Sequence, residues 1–397
     1  MTNNQSKIEK LISELCPSGV EFKYLWQITS WDKRFNGVSI EKQKKILSFK
    51  HVSAQHLKKI ETANGRVKLL ATGQFNGWTT KELAENDLND GEVITIPSGG
   101  SANIKYYKGE FVDSGNILAS SIDNRILNLK YCYYYLLIRN DYISSCFRGS
   151  GVKHPDMVKI LSIKIPVPPL AIQEEIVKIL DNFTELEAAL EAELEARKKQ
   201  YEYYRKNLLT FNQDVKWFNL DYACLRISAG GDLPTKLLKG QKSPTEEFPY
   251  PIYSNGSEEK ALYGFTDDYR IDNEAVTISA RGTIGYHAVR EAKFTPIVRL
   301  LVLIPDTKII TSKFLNYILD ITEIGHSGGS IPQLTVPNVK KIEIPIPPIS
   351  EQERIVSILD KFDALVNDIS IGLPAELKAR RQQYEYYRTR LLTFKEL

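Results

Sequence analysis

Residues 165–211 read IPVPPLAIQEEIVKILDNFTELEAALEAELEARKKQYEYYRKNLLTF, and this stretch decides the fold. A second copy, IPIPPISEQERIVSILDKFDALVNDISIGLPAELKARRQQYEYYRTRLLTF, occupies residues 344–394. Both copies contain IP-x-PP, Q-E, IV-x-ILD, YEYYR and LLTF in the same order. Two unrelated amphipathic helices would not share both proline positions and tyrosine clusters. The chain therefore contains an internal duplication.

Each copy predicts a long helix that begins after its prolines. Proline has no N–H to donate and biases the preceding residue toward extended backbone, so IP-x-PP itself is not helical. Apolar residues then recur in the first copy at spacings of four or three, a heptad-like seam. The seam residues are Ile172, Ile176, Ile179, Phe183, Leu186, Leu190 and Leu194. The C-terminal copy is predicted to kink near residues 372–374, where Gly372 and Pro374 interrupt the pattern.

Two helices with one apolar seam each bury both seams by packing as an antiparallel coiled coil. The segments between them diverge, but VITIPSGGS at 93–101 matches VTISARGT at 276–283. Both segments are rich in β-branched and aromatic runs broken by turn residues. The predicted fold class is α+β, with two mixed α/β domains related by approximate two-fold symmetry and separated by the two long helices.

The predicted domain organisation follows the duplication. The segments are an N-terminal helical segment at 1–20, a first globular domain at 21–164, a central helix at 165–211, a second globular domain at 212–343 and a C-terminal helix at 344–397.

Composition and the first residues of the sequence indicate a cellular compartment. The 397 residues carry a formal net charge of +3, and the four cysteines form no C-x-x-C pair. They are therefore expected to be reduced and mostly buried thiols. The polar start lacks a secretory signal, and no apolar run approaches the roughly 20 residues that span a bilayer. We expect a cytoplasmic protein without a membrane partner.

A lysine-rich stretch in the first globular domain favours contact with phosphates, because basic side chains release counterions when they neutralise a nucleic acid backbone. Its residues are Lys42, Lys44, Lys45, Lys50, Lys58, Lys59, Arg66 and Lys68. An ordinary solvated surface is an equally good explanation of this stretch. The middle of the first helix is acidic and suits solvent or protein contact.

No catalytic constellation is found. Phe147–Gly151 resembles the F-x-G-x-G loop that binds S-adenosylmethionine, but it aligns with His326–Ser330 of the second half and is predicted to be a scaffold turn. A base-flipping [DNS]-PP-[YFW] motif and a Walker loop are missing from the sequence. The start of a PD…(D/E)-x-K nuclease pattern occurs at Pro155-Asp156 and Pro305-Asp306, but neither pair is followed at suitable range by an acidic-x-Lys strand. Catalysis is therefore expected to be absent or to lie on another chain.

The duplicated IP-x-PP helices, the YEYYR ends and the two divergent domains resemble the specificity subunits of type I restriction–modification systems. SGVEF near the start and PIYSNG, TISARGTIG and GGSIPQL in the second half also fit. The resemblance implies that each divergent segment is a target recognition domain for one half of a split double-stranded DNA sequence. It implies that the coiled coil sets the gap between the halves and docks two modification subunits, with restriction subunits added to the complex. S-adenosylmethionine, ATP and Mg would lie on those partners, with no cofactor or metal on this chain.

The resemblance directs attention to polar side chains on turns, because base edges are recognised by Arg, Lys, Asn, Gln and small hydroxyls. The candidate DNA contacts are Ser98, Ser101, Asn103, Lys105, Arg148, Lys153, His154, Asn255, Arg281, Thr283, His287 and Gln333. The candidate partner contacts are Tyr201, Tyr203, Tyr204, Arg205, Tyr384, Tyr386, Tyr387 and Arg388. For each DNA candidate, a role as a turn former or surface polar group is an open alternative. For the whole chain, the alternative is an adaptor that carries two protein-binding domains on a coiled coil.

Overall fold

A computed structural model of the chain describes residues 6–212, 214–324 and 333–397. Contacts divide the chain into two units. Unit 1 comprises Met1–Ala189 and Leu377–Leu397, and unit 2 comprises Leu190–Glu376. Each unit contains one mixed α/β domain and a portion of both repeated helices.

Unit 1 contains seven short α-helices and ten strands in its described part. The helices are α1 (Lys7–Leu15), α2 (Leu25–Ile28), α3 (Ala54–Lys59), α4 (Lys81–Ala84), α5 (Leu129–Ile138), α6 (Asn140–Ser145) and α7 (Met157–Leu161). The strands are β1 (Glu21–Tyr24), β2 (Thr29–Trp31), β3 (Val67–Ala71), β4 (Asn76–Thr79), β5 (Asn89–Pro97), β6 (Lys105–Ser114), β7 (Asn116–Ser121), β8 (Phe147–Arg148), β9 (His154–Pro155) and β10 (Lys164–Val167).

The long helix α8 (Leu170–Leu209) begins in unit 1 and ends in unit 2. The remaining helices are α9 (Leu220–Ala223), α10 (Ser312–Leu319), α11 (Val336–Lys340), α12 (Ile349–Asn367) and α13 (Leu373–Leu391). The strands of unit 2 are β11 (Trp217–Asn219), β12 (Cys224–Ala229), β13 (Leu237–Lys239), β14 (Tyr250–Tyr253), β15 (Leu262–Thr266), β16 (Ala275–Ile278), β17 (His287–Arg290), β18 (Thr295–Pro296), β19 (Leu301–Pro305) and β20 (Glu343–Pro345).

The main sheet of unit 1 has six strands in the order β2-β7-β5-β6-β3-β4. Its pairs are antiparallel except β3 with β6, which run parallel. Helix α5 contributes Tyr131 and Leu136 to the core beside this sheet, and the Asn128 side chain caps its start by accepting hydrogen bonds from two backbone N–H groups. The core forms where the aromatic helix covers the buried residues of β5.

Unit 2 has two four-stranded sheets, β12-β19-β16-β17 and β13-β15-β14-β18. Strand β19 is an uninterrupted buried run, LVLIP, as expected for a strand covered on both faces. Helix α10 packs Phe314, Leu315 and Ile318 into the same core, and the Thr311 side chain caps it. Mixed α/β domains flanking a long helix confirm the predicted fold class.

The IP-x-PP motifs form the same structure in both units. Residues Glu21–Tyr24 pair antiparallel with Lys164–Val167, and Trp217–Asn219 pair antiparallel with Glu343–Pro345. Each pair is a two-stranded ribbon, in which proline is tolerated because each strand has an edge that needs no hydrogen-bond donor.

A buried glutamine joins each motif to its helix and domain. The Gln173 amide accepts from Asn128 N at 2.9 Å and donates to Ile126 O and Pro168 O, both at 2.8 Å. Its side chain is 0% exposed, so water cannot reach the amide group and the three hydrogen bonds satisfy it instead.

Unit 2 repeats this arrangement atom for atom. Gln352 accepts from Thr311 N at 3.0 Å and donates to Ile309 O at 2.9 Å and Pro347 O at 2.8 Å, and it is also 0% exposed. We call Gln173 and Gln352, with these hydrogen bonds, the glutamine clamps. They explain why a glutamine follows the prolines in both copies.

The repeated helices carry a second shared contact about three turns after their start. Asp181 accepts from Lys130 Nζ at 2.8 Å and from the Tyr134 hydroxyl at 2.6 Å. Asp360 accepts from Lys313 Nζ at 2.5 Å and from the Tyr317 hydroxyl at 2.7 Å in the same way. Burial, then the carboxylate, raises the pKa of each tyrosine well above its ordinary value, so both hydroxyls stay protonated donors.

The repeated helices pair within each unit. In unit 1, Phe183 of α8 contacts Tyr387 of α13, and Glu187 of α8 pairs with Arg381 of α13 at 2.6 Å. Because the number rises on α8 as it falls on α13, the two helices run antiparallel there. In unit 2, Tyr201 of α8 stacks on Phe362 of α12.

The C-terminal copy is interrupted at Asp368–Gly372, slightly earlier than the predicted kink near residues 372–374. Asp368 Oδ1 accepts from the backbone N–H groups of Ser370 and Ile371 and closes the turn. Pro374 lies in the first turn of α13, where no N–H donor is needed, so it begins a helix rather than breaking one. Ile369 and Ile371 of this turn are strongly exposed.

All four cysteines are free, and Cys132, Cys146 and Cys224 are buried. Among the described residues, no helix is long and apolar enough to cross a bilayer.

Candidate nucleic-acid interface

Three turns of unit 1 are joined to one another by hydrogen bonds. The turn at Ser98 is fixed because both the backbone N and Oγ of Ser98 donate to Gly115 O, at 3.0 and 2.5 Å. Two contacts join this turn to the turn at Lys153 and His154. Gly100 N donates to Lys153 O at 2.8 Å, and His154 Nδ1 lies 2.6 Å from Ser98 O. The predicted DNA contacts Ser98 and His154 therefore hold this surface together, while Lys153 is exposed.

Asn103 and Lys105 hold the third turn, Thr72–Phe75. The Asn103 amide donates to Thr72 O and Gly73 O, both at 2.9 Å. Lys105 Nζ donates to Ala71 O and Gly73 O, both at 2.6 Å. Burial, then the neighbouring charge of Lys68, lowers the pKa of Lys105, and the carbonyl oxygens compensate its ammonium group. Both predicted contacts thus donate to backbone carbonyl groups inside the domain.

The Thr72–Phe75 turn presents a residue that the sequence analysis did not select. Gln74 is exposed at its tip, and its amide makes no hydrogen bond within the described part of the chain. Ser101 is exposed on the adjoining turn. These two side chains are available for an external partner.

Arg148 lies on a small hairpin. Phe147 pairs with Pro155 and Arg148 with His154, so the F-x-G-x-G sequence forms a hairpin turn, as predicted. Gly149 has a φ of +148°, and a Cβ there would lie 2.7 Å from Val152 O, so glycine is required. The aligned residues 326–330 lie outside the described part of the chain. Arg148 itself is exposed.

An ionic cluster of the partly exposed His51 and two buried aspartates lies close to Gly115, next to Asn116. His51 Nε2 is 2.8 Å from Asp32 Oδ2, and its Nδ1 is 2.8 Å from Asp113 Oδ2. Hydrogen bonding to Asp113 and then to Asp32 raises the pKa of His51 to about 9, so the ring is charged at neutral pH. Asn116 Nδ2 donates to Asp113 Oδ1 at 2.7 Å and to Leu70 O at 3.2 Å. The cluster ties the lysine-rich stretch to the sheet.

That lysine-rich stretch also borders a cleft of about 720 Å³ in unit 1. Lys42, Lys44 and Lys45 line it together with Trp26 and Trp31. Lys42 Nζ lies 5.8 Å from the centre of the Trp26 ring. The three lysines are exposed and contribute positive charge to this side of the domain.

In unit 2, the Asn255 side chain joins two turns of the domain. Its Oδ1 accepts from Ala280 N at 2.7 Å, and its Nδ2 donates to Val298 O at 2.6 Å. Next to it, Ser279 Oγ donates to Gly256 O at 3.0 Å. Asn255, predicted as a DNA contact, thus positions two turns of the domain.

The turn at Val298 and Arg299 has an unusual backbone. The φ angles are +52° and +60°, in a region that non-glycine residues rarely adopt and that a β-branched residue adopts least. Each such residue costs about 1–3 kcal/mol and persists only where its surroundings hold it. Val298 N donates to Gly231 O at 2.9 Å, and Arg299 N donates to Gly230 O at 3.1 Å. The sequence TPIVRLL contains no glycine or asparagine to signal this conformation.

The other predicted contacts of unit 2 differ in availability. Arg281 Nη2 donates to Gln333 Oε1 at 2.9 Å, so two predicted residues lie together at the surface. Thr283 is exposed. His287 is almost enclosed, with Nδ1 2.8 Å from Gly285 O and Nε2 3.0 Å from Asn316 O. Both ring nitrogens are therefore occupied within unit 2.

His287 also belongs to an ion pair that includes a predicted partner contact. Its Nε2 is 3.2 Å from Asp320 Oδ1, and Arg205 lies 2.5 Å from the other oxygen. Burial opposes charge on His287, but hydrogen bonding to Asp320 and Gly285 outweighs burial and raises its pKa. Arg205 thus anchors α8 to the domain of unit 2.

The tyrosine clusters divide into packed and exposed members. Tyr384 and Tyr387 lie against Phe183, and Tyr201 and Tyr204 lie against Phe362. These four predicted partner contacts take part in helix pairing.

Tyr203 and Tyr386 point outward instead, with 64% and 58% of their surface exposed. Arg388 is engaged within its own helix, where it lies over the Tyr384 ring and pairs with Glu385. Tyr203 and Tyr386 are the tyrosines of the two clusters most available to another protein.

Comparison with known proteins gives a consistent result. The model of the type I restriction modification DNA specificity domain matches residues 39–196 and 229–379. A putative type I specificity subunit of Mycoplasma pneumoniae is 32% identical over 322 residues, covering 77% of this chain and 94% of that protein. A putative type I restriction enzyme specificity subunit of Haemophilus influenzae is 32% identical over 348 residues, covering 79% of this chain and 86% of that protein.

Two further relatives extend the comparison. The specificity subunit of a type I restriction enzyme of Escherichia coli is 35% identical over 308 residues, covering 70% of this chain and 74% of that protein. The solved S subunit of a type I restriction–modification system from M. genitalium has a TM-score of 0.62 at 17% identity, covering 94% of this chain and 96% of that chain. This second likeness concerns the fold alone. The alternative of a protein-binding adaptor receives no support.

Proposed function

The chain belongs to the family of type I restriction–modification DNA specificity subunits, and from that membership we propose that units 1 and 2 each read one half of a bipartite double-stranded DNA target. One observation carries the proposal: the family's DNA specificity domain occurs twice, at residues 39–196 and 229–379, which fall almost wholly within unit 1 and unit 2 respectively. The differing turns of the two units support different half-sites.

Within each unit, the predicted DNA contacts divide into two roles. Those with occupied donors position the turns: Ser98, Asn103, Lys105, His154, Asn255 and His287. Exposed side chains make the contacts: Ser101, Arg148, Lys153, Arg281 with Gln333, and Thr283. Gln74 joins them. Specificity depends on holding such groups rigidly, and buried hydrogen bonds behind a turn provide that rigidity.

The repeated helices serve assembly and spacing. Two modification subunits dock on them, one near Tyr203 and one near Tyr386, since exposed tyrosines are favourable at protein interfaces. Those partners supply S-adenosylmethionine and methyl transfer, and restriction subunits supply ATP- and Mg-dependent cleavage. The chain contributes recognition and assembly without catalysis of its own, in the cytoplasm where the target DNA lies.

The decisive experiment is methylome sequencing of cells that express this chain with its cognate modification subunit. The expected result is one asymmetric motif of two short half-sites separated by a fixed number of unspecified bases. Purified chain alone should transfer no methyl group to the same DNA. A single uninterrupted motif, or methylation that does not depend on this chain, would contradict the proposal.

The role of the helices in spacing is tested by shortening both. Because Glu187 pairs with Arg381, deletion of Leu186–Ala189 should be combined with deletion of Lys378–Arg381 to keep the helices matched. Four residues remove about 6 Å, against about 3.4 Å per base pair, so the gap should change by about one to two base pairs. Methylation with the original gap would show that the helices do not set the spacing.

A further inference from the structure

The backbone of the turn Ile297–Leu300 is held by an unusually complete set of contacts. Gly230 N donates to Leu300 O at 2.7 Å, and Ile297 N donates to Tyr253 O at 2.9 Å. Ile297 and Leu300 are buried, which fixes both ends of the turn. Gly230 cannot be replaced without disturbance, because a Cβ there would lie 2.7 Å from the backbone of Pro296. The turn is therefore rigid despite its strained φ angles.

The strain has no evident use in folding. Glycine adopts positive φ at no steric cost, and it would relax residues 298 and 299 while leaving the buried residues 297 and 300 in place. The chain instead carries valine and arginine at those positions. Backbone strain that is maintained by surrounding contacts occurs at ligand-binding sites, where it fixes a side chain in the direction that the ligand needs.

The side chain fixed in this way is that of Arg299. It is exposed and makes no hydrogen bond or ion pair with any residue that the structure describes. Its turn shares Asn255 with the turn of Ala280, whose neighbour Arg281 is also exposed. An unpaired guanidinium therefore lies on a rigid support beside other candidate DNA contacts.

We propose that Arg299 reads a guanine in the half-site recognised by unit 2, with Asn255 and the strained turn as its positioning elements. This inference rests on the proposed function. The planar guanidinium can donate two parallel hydrogen bonds to guanine O6 and N7 in the major groove, the pairing that distinguishes G from the other bases. A rigid turn favours this bidentate geometry, which a flexible loop would have to order on binding.

Methylome sequencing of the complex with Arg299→Ala tests the assignment. One guanine of the unit 2 half-site should become unspecified, and discrimination measured with base-substituted duplexes should fall by about 5- to 150-fold. The unit 1 half-site and the gap should be unchanged and serve as internal controls. Arg226→Ala removes another exposed arginine of unit 2 and should leave the whole motif intact.

Two results would overturn the assignment. One is an unchanged motif in Arg299→Ala. The other is a uniform loss of affinity for all duplexes, which would make Arg299 a phosphate contact. Failure of the wild-type complex to give a bipartite motif would instead contradict the proposed function.

Arg299→Gly separates recognition from folding. Because glycine relieves the strain, this variant should melt at or above the wild-type temperature while losing the same guanine from its motif. If Arg299→Gly is less stable than wild type and keeps the guanine, the arginine serves the fold and does not read DNA.

Discussion

The two glutamine clamps match each other, whereas the turns that carry the candidate DNA contacts differ between the two units. Gln173 and Gln352 make the same three hydrogen bonds to equivalent backbone atoms, and both are fully buried. The turns share no such correspondence: side chains of Asn103 and Lys105 hold one, whereas Asn255 holds the other in a strained conformation. The contacts that join helix to domain are the same in both units, whereas the contacts that hold the candidate DNA-binding turns differ.

The largest expected effect comes from breaking a clamp. Gln352→Leu and Gln173→Leu each leave one buried N–H and two buried carbonyl groups without a partner, and each orphaned group costs about 1–3 kcal/mol. Each variant should lower the free energy of unfolding by about 3–9 kcal/mol, measured by urea denaturation with hydrogen exchange to locate the loss. The exposed Gln55→Leu should change little. A large loss in one clamp variant and none in the other would show that the junctions are not equivalent.

A smaller effect, confined to recognition, is expected from Gln74→Ala. Glutamine pairs with adenine N6 and N7, and loss of such a pair costs about 1–3 kcal/mol of discrimination. The motif should lose one base in the unit 1 half-site, while the unit 2 half-site and the melting temperature stay the same. Gln74→Glu offers only acceptors and should also fail to select adenine. Retention of the complete motif in both variants would remove Gln74 from the interface.

The smallest expected effect is a pH dependence of stability that is confined to unit 1. The folded pKa of His51 is raised to about 9 from an ordinary value of 6.5, so its stabilisation is complete below pH 6.5 and is lost as pH rises toward 9. Hydrogen exchange in unit 1 should accelerate across that range beyond the intrinsic increase. His51→Gln, which cannot titrate, should abolish this dependence. Equal pH dependence in wild type and variant would place its cause elsewhere.

The sequence predicted the duplicated parts well because both copies carry the same signals. Prolines, the heptad-like seam and the tyrosine clusters predicted the positions of both helices. Gly372 predicted the interruption of the C-terminal copy to within a few residues. The exact end differed because Pro374 is compatible with the first turn of a helix. The clamp itself was not foreseen, since a buried glutamine after the prolines resembles an exposed one in sequence.

The turns held by Asn103, Lys105 and Asn255 were less predictable for a physical reason. Asn103, Lys105 and Asn255 have the chemistry of base contacts, but their partners are carbonyl groups 30 to 43 residues away in the chain. Whether such a donor faces inward or outward depends on that tertiary proximity. Arg299 was missed because its left-handed conformation is imposed by Gly230 and Gly231 and leaves no local signature.

Unit 1 is assembled from two distant pieces of the chain, and this affects its synthesis. Residues 377–397 complete it, and Val20 N donates to Lys395 O at 2.9 Å. Unit 2 is one continuous stretch of chain, whereas the two pieces of unit 1 are made before and after it. The final packing of unit 1 must therefore wait for residues 377–397, although its first piece is made earliest. A premature stop codon just after residue 376 would spare every residue of unit 2 and leave the earlier-made unit unfinished.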